Sequence, residues 1–168
     1  MPTPTHDLIA SSVLDSQVDS VTFSSISGSY RDLILVGVVK TAATGGPSAN
    51  LRFNSDSGSN YYFAQMVGNG STASATSSTT TYVELGTNLY MSSDFTYNFI
   101  AQIMDYSVTN KHKTVLSRTN QALDPLNSGR GANAIATRWV STSAITSITI
   151  NVYQAVANST FYLYGIAA

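Results

Sequence analysis

Few side chains in this sequence could perform acid–base, nucleophilic or metal chemistry. It contains two histidines, His6 and His112, one glutamate, Glu84, and no cysteine. The lack of cysteine excludes disulfides and thiolate metal sites. Glycoside hydrolysis needs a pair of carboxylates, but Glu84 is the only glutamate, and Asx turns are favoured for the singly occurring Asp56, Asp94, Asp105 and Asp124. The G-x-S-x-G elbow of a serine hydrolase does not occur. We therefore expect no catalytic residues and no enzymatic activity.

Both histidines are expected to be structural or surface residues. His6 lies close to the N-terminus, and His112 lies between two lysines in NKHKT (110–114), at a predicted strand edge. Neighbouring ammonium groups disfavour a bound cation, and lysines at sheet edges ordinarily discourage unwanted strand pairing. We predict no metal ligand at either position.

The segment LRFNSDSGSNYYF (51–63) offers the densest set of oxygen ligands. Asn, Ser and Asp alternate around Asp56, faintly like a calcium loop. Calcium takes about six to eight oxygens, several from carboxylates, whereas this loop supplies one carboxylate. A turn is favoured instead, in which Asp56 bonds its own backbone and Gly58 adopts positive φ. No metal and no other cofactor is predicted.

The ten tyrosines raise the alternative of carbohydrate binding, because amphipathic rings both stack on sugars and hydrogen-bond to them. Tyr61 and Tyr62 are adjacent, so a regular strand turns them to opposite faces and places one in the core. Trp139 is expected in the core or between the sheets. Most other tyrosines are expected on strand faces.

Short segments rich in Val, Ile, Thr, Tyr and Phe alternate with clusters of Gly, Ser and Asn, and no amphipathic helix is predicted. Alternation with period two is typical of half-buried antiparallel strands. The fold class is therefore predicted to be all-β: a two-sheet antiparallel β-sandwich, jelly-roll-like. Segments 41–50, 68–81 and 121–133 are predicted to be long loops. Strands are predicted over 8–14, 20–26, 31–41, 49–54, 61–67, 81–86, 96–106, 112–119, 132–140, 144–154 and 160–166.

The 168 residues fit one domain over 8–168, preceded by an extended N-terminal arm over 1–7 in which Pro2 and Pro4 restrict the backbone. Only 10% of residues are charged, and the net charge is −1. Nucleic-acid binders need a basic surface, so a nucleic-acid partner is not expected. The longest apolar run, LILVGVV (33–39), is too short to cross a bilayer, and the first residues lack the pattern of a signal peptide. No membrane partner is expected.

Several phrases, in order along the chain, resemble the virion structural proteins of tailed bacteriophages, including phages of cyanobacteria and other aquatic hosts. The similarity runs from about Leu8 onward, except over Thr80 to Thr96. Each phrase is short, and the common order makes the set specific. They are LRFNSDSGSNYYF, MVGNGS, IMDYSVTNKHKTVLSR, RWVSTSAITSITI and STFYLYGI.

The resemblance implies a β-sandwich structural protein of the virion, without catalytic residues. Its length favours a capsid decoration (cement) protein, made in the host cytoplasm and located on the capsid surface. Such a protein is expected to be a homotrimer that bridges capsomers and contacts the major capsid protein. The alternative is a tail-fibre or tail-appendage module that recognises a host-surface glycan. Partner contacts are assigned to Pro2, Pro4, His6, Tyr61 and Tyr62.

Overall fold

The computed structural model describes residues 5–42, 49–68, 71–86, 96–121 and 132–167. Pro2 and Pro4 lie outside the described residues, as do most of the predicted loops at 41–50 and 121–133. No helix that could span a membrane is found in the described part of the chain. The strands are β1 (His6–Val13), β2 (Val18–Phe23), β3 (Asp32–Val39), β4 (Asn50–Phe53), β5 (Tyr61–Gly68), β6 (Ala73–Thr80), β7 (Val83–Glu84), β8 (Tyr97–Met104), β9 (Lys113–Gln121), β10 (Ala132–Trp139), β11 (Ile148–Ala155) and β12 (Thr160–Ile166).

These strands form two antiparallel sheets that pack together. The larger has eight strands in the order β1-β12-β3-β8-β9-β10-β5-β6, and the smaller has four in the order β2-β11-β4-β7. Between β1 and β5 the chain changes sheet at every step. The predicted all-β, two-sheet antiparallel sandwich is confirmed, whereas the uneven division into eight and four strands was not predicted.

The core lies between the two sheets and follows from the period-two pattern of the strands. On β8, Tyr97, Phe99, Ala101 and Ile103 are buried, while the residues between them turn to the opposite side. Each large apolar side chain removed from water contributes about 1.5–3 kcal/mol. A shift of one residue in the register of β8 would expose this whole set, so burial also determines the pairing.

One predicted loop is wrong, because the segment 68–81 contains the strand β6. It pairs with β5 residue by residue, from Tyr61 opposite Thr80 to Gly68 opposite Ala73. Nearly all its side chains are exposed. The small polar sequence has no apolar alternation to reveal a strand, since main-chain pairing with β5 holds it in place.

Several strand boundaries differ from the prediction. β1 begins at His6, within the predicted arm, and the strand predicted over 81–86 is reduced to the two residues of β7. β11 begins at Ile148 rather than at 144. The main-chain amides just before β11 make hydrogen bonds outside the sheet. The amide of Thr146 donates to Asn54 Oδ1 (2.9 Å), and that of Ile145 donates to the Tyr106 carbonyl (2.8 Å).

Candidate functional site

The Asp56 carboxylate sits at the centre of a closed hydrogen-bond network. Its Oδ1 accepts a bond from the Gly58 amide (2.9 Å), and both its oxygens accept from Asn60 Nδ2 (3.1 and 3.0 Å). Its Oδ2 also accepts from Trp139 Nε1 at 2.7 Å. The predicted Asx turn is confirmed, and the carboxylate in addition ties the turn to the aromatic core.

The prediction that Gly58 adopts positive φ is wrong. Positive φ instead occurs at Asn54 (51°) and Ser55 (60°). Asparagine is among the non-glycine residues that adopt positive φ most readily. Glycine is instead required at position 58 because a side chain would clash with Asn60: a Cβ there would lie 2.7 Å from Asn60 Nδ2. Absence of a side chain at Gly58 therefore lets the Asn60 amide reach Asp56.

The network favours the ionised form of Asp56. Partial burial raises the pKa of this carboxyl, but the bonds from Trp139, Asn60 and Gly58 together hold its pKa below the ordinary value. The lone pairs that a cation would use are already engaged by protein donors. Among the described residues, no three His, Asp or Glu side chains cluster as a metal site would require.

Burial removes Tyr61 from the predicted partner contacts. Its side chain has no exposed surface, and its ring stacks on Trp139 at a centroid distance of 6.3 Å. The Tyr61 hydroxyl accepts a bond from the Phe53 amide and donates one to the Asp56 carbonyl, both at 3.2 Å. Burial raises the pKa of Tyr61 to about 12. Tyr62, on the opposite face, is 44% exposed, so the prediction that one of the pair is core is confirmed.

The segment around His112 does not form a sheet edge, contrary to the prediction. The following strand, β9, lies between β8 and β10. Lys113 is completely buried, and its Nζ donates to the carbonyls of Lys111 (2.9 Å) and Thr142 (3.2 Å). Lys111 remains at the surface and forms an ion pair with Asp105 (2.9 Å). His112 itself is exposed in the turn before β9.

Glu84 is a half-buried carboxyl where the short strand β7 meets the large sheet. Its carbonyl accepts a bond from Ser117 Oγ (3.0 Å), and its main chain pairs with Asn50 on β4. Burial raises the pKa of Glu84 to about 7, although a hydrogen bond with Tyr82 opposes this shift. Burial and the Glu84 charge also raise the pKa of Tyr97. Proton binding by Glu84 is therefore coupled to folding.

We expect Glu84→Gln to remove a pH dependence of stability. The folded-state pKa of about 7 exceeds the ordinary value of 4.5. The Glu84 contribution is therefore complete below about pH 4.5 and is lost as the pH rises through 7. Allowing for partial exposure, we expect a decrease of about 1–2 kcal/mol. Urea unfolding at pH 4.5 and 8 measures it, and equal decreases in the wild type and Glu84→Gln would contradict this account.

A broad exposed surface is formed by the side of the eight-stranded sheet that faces away from the four-stranded sheet, here called the outer face. The strand registers align its side chains in rows that cross the sheet from β12 to β5. Two adjoining open grooves of about 700 and 840 Å³ lie on it and share Met66, Arg118 and Ala134. The central row consists of Tyr162, Val36, Ile100, Arg118, Ala134 and Met66.

Most exposed large apolar side chains of the described residues lie on the outer face. The described residues include seven exposed large hydrophobic side chains, and six belong to this face; the seventh, Tyr153, lies on β11 of the other sheet. Scattered single examples are normal on protein surfaces, but a contiguous patch marks a contact site. The six are Leu8, Val13, Val38, Tyr62, Met66 and Leu116.

The size and charge of the outer face are suited to a protein partner. Seven strand spacings of about 4.8 Å and about seven residues of 3.4 Å give a surface of about 800 Å². A standard protein–protein interface buries about 800 Å² on each partner. Arg118 is charged and central, whereas Arg138 and Asp32 lie toward one end. Arginine is enriched in protein interfaces, whereas lysine, glutamate and aspartate are depleted.

Two of the predicted contact residues lie at opposite ends of the outer face. His6 pairs with Ile166 on the edge strand β1, and Tyr62 pairs with Arg138 on the far side of the sheet. Six strand spacings, about 29 Å, separate them. The Arg138 guanidinium lies 5.3 Å from the Tyr62 ring centroid and covers one side of that ring. They are parts of one broad surface rather than of one small pocket.

Comparison with known proteins leaves the function open. No family model matches the sequence, and no curated protein matches it. Among solved structures, the chain is similar to protein of unknown function SO2946 from Shewanella oneidensis MR-1, at 11% identity and a TM-score of 0.20. The alignment covers 98% of this chain and 80% of that protein. At this TM-score the similarity supports neither a fold nor a function.

Sequence reasoning missed the outer face, although one signal for it was available. In the run LILVGVV (33–39), Leu33 and Leu35 face the core, while Ile34, Val36 and Val38 belong to the outer face. Continuous apolar runs are typical of strands that are covered on both sides. An apolar run in place of alternation thus indicated a second contact surface on β3.

Proposed function

We propose that this chain is a non-enzymatic structural protein of a bacteriophage virion, most specifically a decoration protein that stabilises the capsid. The observation that carries the proposal is the outer face, where six of the seven exposed large hydrophobic side chains among the described residues are gathered. The ordered phrases that resemble phage virion proteins supply the biological setting. A broad, largely apolar surface on a β-sandwich is suited to docking a protein partner.

The physical basis of such a role is many modest contacts acting together. An outer face of about 800 Å² is sufficient for a specific interface, and repetition over a shell multiplies its effect. With Arg118 as the charge near its centre, the face depends mainly on apolar burial. Apolar contacts are insensitive to ionic strength, so we expect attachment to persist in high salt.

The copy number of this protein in purified particles tests the proposal directly. A decoration protein is expected in numbers comparable to those of the major capsid protein, and quantitative mass spectrometry of virions measures the ratio. A copy number typical of a tail would overturn the capsid assignment. It would favour the tail-appendage alternative.

We expect the double variant Met66→Gln, Leu116→Gln to lose attachment to capsids. Both side chains are exposed on the outer face, so the change removes apolar contact without altering the core. Two such side chains contribute about 1.5–3 kcal/mol each when fully buried, which corresponds to at least a tenfold weaker affinity. Sedimentation of the purified variant with capsids that lack the protein measures the loss.

The matched control is Tyr153→Gln. Tyr153 is 40% exposed and also apolar, but it lies on the four-stranded sheet. It should leave attachment unchanged. Equal loss for both variants would indicate a non-specific effect, and undiminished attachment of the outer-face variant would refute docking through that face.

The glycan-binding alternative is favoured by one observation, the exposure of Tyr62. A sugar could stack on the side of the ring that Arg138 leaves open. Tyr61, its proposed partner in this role, is buried. Of the two tyrosines predicted for this role, Tyr62 alone could present its ring to a sugar, whereas docking would use the whole outer face.

A further inference from the structure

The strand β6 forms a long, regular edge of the eight-stranded sheet. It pairs with β5 from Ala73 to Thr80 without a shift in register. Within the described ranges, no strand lies on its other side. Seven of its eight side chains are exposed, on both sides of the sheet, so the four-stranded sheet does not cover it. Such an edge presents a row of main-chain donors and acceptors to another strand.

The other three edges of the sandwich carry features that discourage pairing. The edge strand β1 has an irregularity between Leu8 and Ala10 and bears Asp7. The edge strand β2 bears Asp19, and its register with β11 shifts. The edge strand β7 has only two residues. Bulges, charges and short length are the usual protections of sheet edges. β6 has no charge, no proline and no bulge.

We propose that β6 pairs antiparallel with β6 of a second copy of this chain, about a twofold axis. Its sequence, ASATSSTT, consists only of Ala, Ser and Thr. In an antiparallel pair of identical strands each side chain faces one from the same short list. Ser and Thr pairs across strands are favourable, whereas like charges placed opposite each other are not. Two copies of this neutral strand of small residues can therefore pair without clashing charges. The contact is isologous, because both copies use the same strand.

Continuity with the outer face supports a second copy as the occupant. On that side of the sheet, Ala75 neighbours Met66 and Ser77 neighbours Ala64. Pairing of two β6 strands therefore joins two outer faces into one continuous surface. An edge of about 27 Å by 10 Å is small beside a standard interface of about 800 Å² per partner. The contact is therefore favoured where copies are concentrated. A twofold contact relates two copies, so it could link neighbouring trimers but could not itself form a trimer.

A cysteine scan tests this inference, because the natural chain has no cysteine. The single variants are Ala75→Cys, Thr76→Cys, Ser77→Cys and Ser78→Cys, all at exposed positions. The twofold axis passes through one position of β6, so a cysteine at that position lies opposite the same cysteine of the second copy. A cysteine one residue along the strand is displaced by about 7 Å from its counterpart. Purified protein at high concentration is mildly oxidised, and the rate of disulfide dimer formation is measured. Ser11→Cys, exposed on the protected edge β1, is the control.

We expect one position in β6 to crosslink at least about tenfold faster than Ser11→Cys, with lower rates on either side of it, because pairing raises the effective concentration of the thiols. Adding Ser74→Lys to the fastest variant should abolish the excess, since a charge then faces the paired strand. Rates equal to that of Ser11→Cys, or equal at all four positions, would overturn the proposal. The experiment needs no capsid, so its failure is distinct from a failure of the proposed virion role.

Discussion

Replacing Asp56 with alanine is expected to lower the free energy of unfolding by about 2–4 kcal/mol. The carboxylate accepts bonds from Trp139 Nε1 at 2.7 Å, from Asn60 and from the Gly58 amide. Trp139 is almost completely buried, so its indole N–H would lose its partner in the core. An unsatisfied buried donor incurs the full desolvation cost, which exceeds the value of an ordinary surface bond.

Urea unfolding of the wild type and Asp56→Ala at neutral pH measures this effect. Asp15→Ala is the matched control, because Asp15 accepts its bond from the adjacent Ser16 in an exposed turn. We expect the control to change stability by less than about 0.5 kcal/mol. A loss at Asp56 no larger than at Asp15 would show that the network does not stabilise the fold.

The same variant should alter the acid side of the stability profile. Because the pKa of Asp56 is lowered in the folded state, its contribution is present above the ordinary value of 3.8. It is lost as the pH falls through the folded-state pKa. Asp56→Ala should therefore lose less stability than the wild type on acidification.

Gly37→Ala is expected to destabilise the protein by about 2–3 kcal/mol. Gly37 lies on β3 directly between Phe99 on β8 and Phe161 on β12. The two rings meet over it with centroids 6.5 Å apart. An added Cβ would lie 2.2 Å from Phe99 Cε1, so the ring must leave its position in the core. The loss of packing outweighs the small entropic benefit of replacing glycine.

Thermal and urea unfolding of Gly37→Ala measure this cost, and Gly68→Ala provides the control. Gly68 ends β5, and an added Cβ there would meet nothing within 4 Å. We expect Gly68→Ala to be neutral or slightly stabilising, since alanine restricts the unfolded chain. Equal effects at the two glycines would mean that backbone entropy, and not the phenylalanine pair, determines the outcome.

An exposed apolar face has consequences for how this protein behaves alone. Leu116 and Met66 are 43% and 65% exposed, in the middle of a surface with one central charge. A net charge of −1 adds little repulsion between copies. We therefore expect the free protein to associate through this face. A partner that covers the face removes that tendency and contributes binding energy at the same time.

Local sequence patterns were sufficient to predict those structural features that depend on a single strand or a single turn. Alternation in β8 predicted the buried set, and the adjacency of Tyr61 and Tyr62 predicted that one of them is core. The Asx turn at Asp56 was also predictable, because its bond to Gly58 spans two residues. The bond from Trp139 spans 83 residues, and no local pattern indicates it.

Other features depended on neighbours distant in the chain. Lys113 can be buried because the Thr142 carbonyl, from another loop, accepts a hydrogen bond from its ammonium group. β6 is a strand because β5 offers an edge to its main chain, although its side chains carry no strand signal. In both cases the deciding interaction is made with main-chain groups, which every residue possesses and no sequence pattern distinguishes.

The sequence by itself determined an all-β sandwich, the burial of one tyrosine of a pair and the absence of any cysteine chemistry. These follow from composition and from the two-residue repeat of a strand, which are local properties. Only the tertiary structure decided which strands share a sheet, and hence that Val38, Leu116 and Met66 lie on one surface. Side chains from separate strands form a face only after long-range pairing has set their registers, and that pairing depends on the whole core.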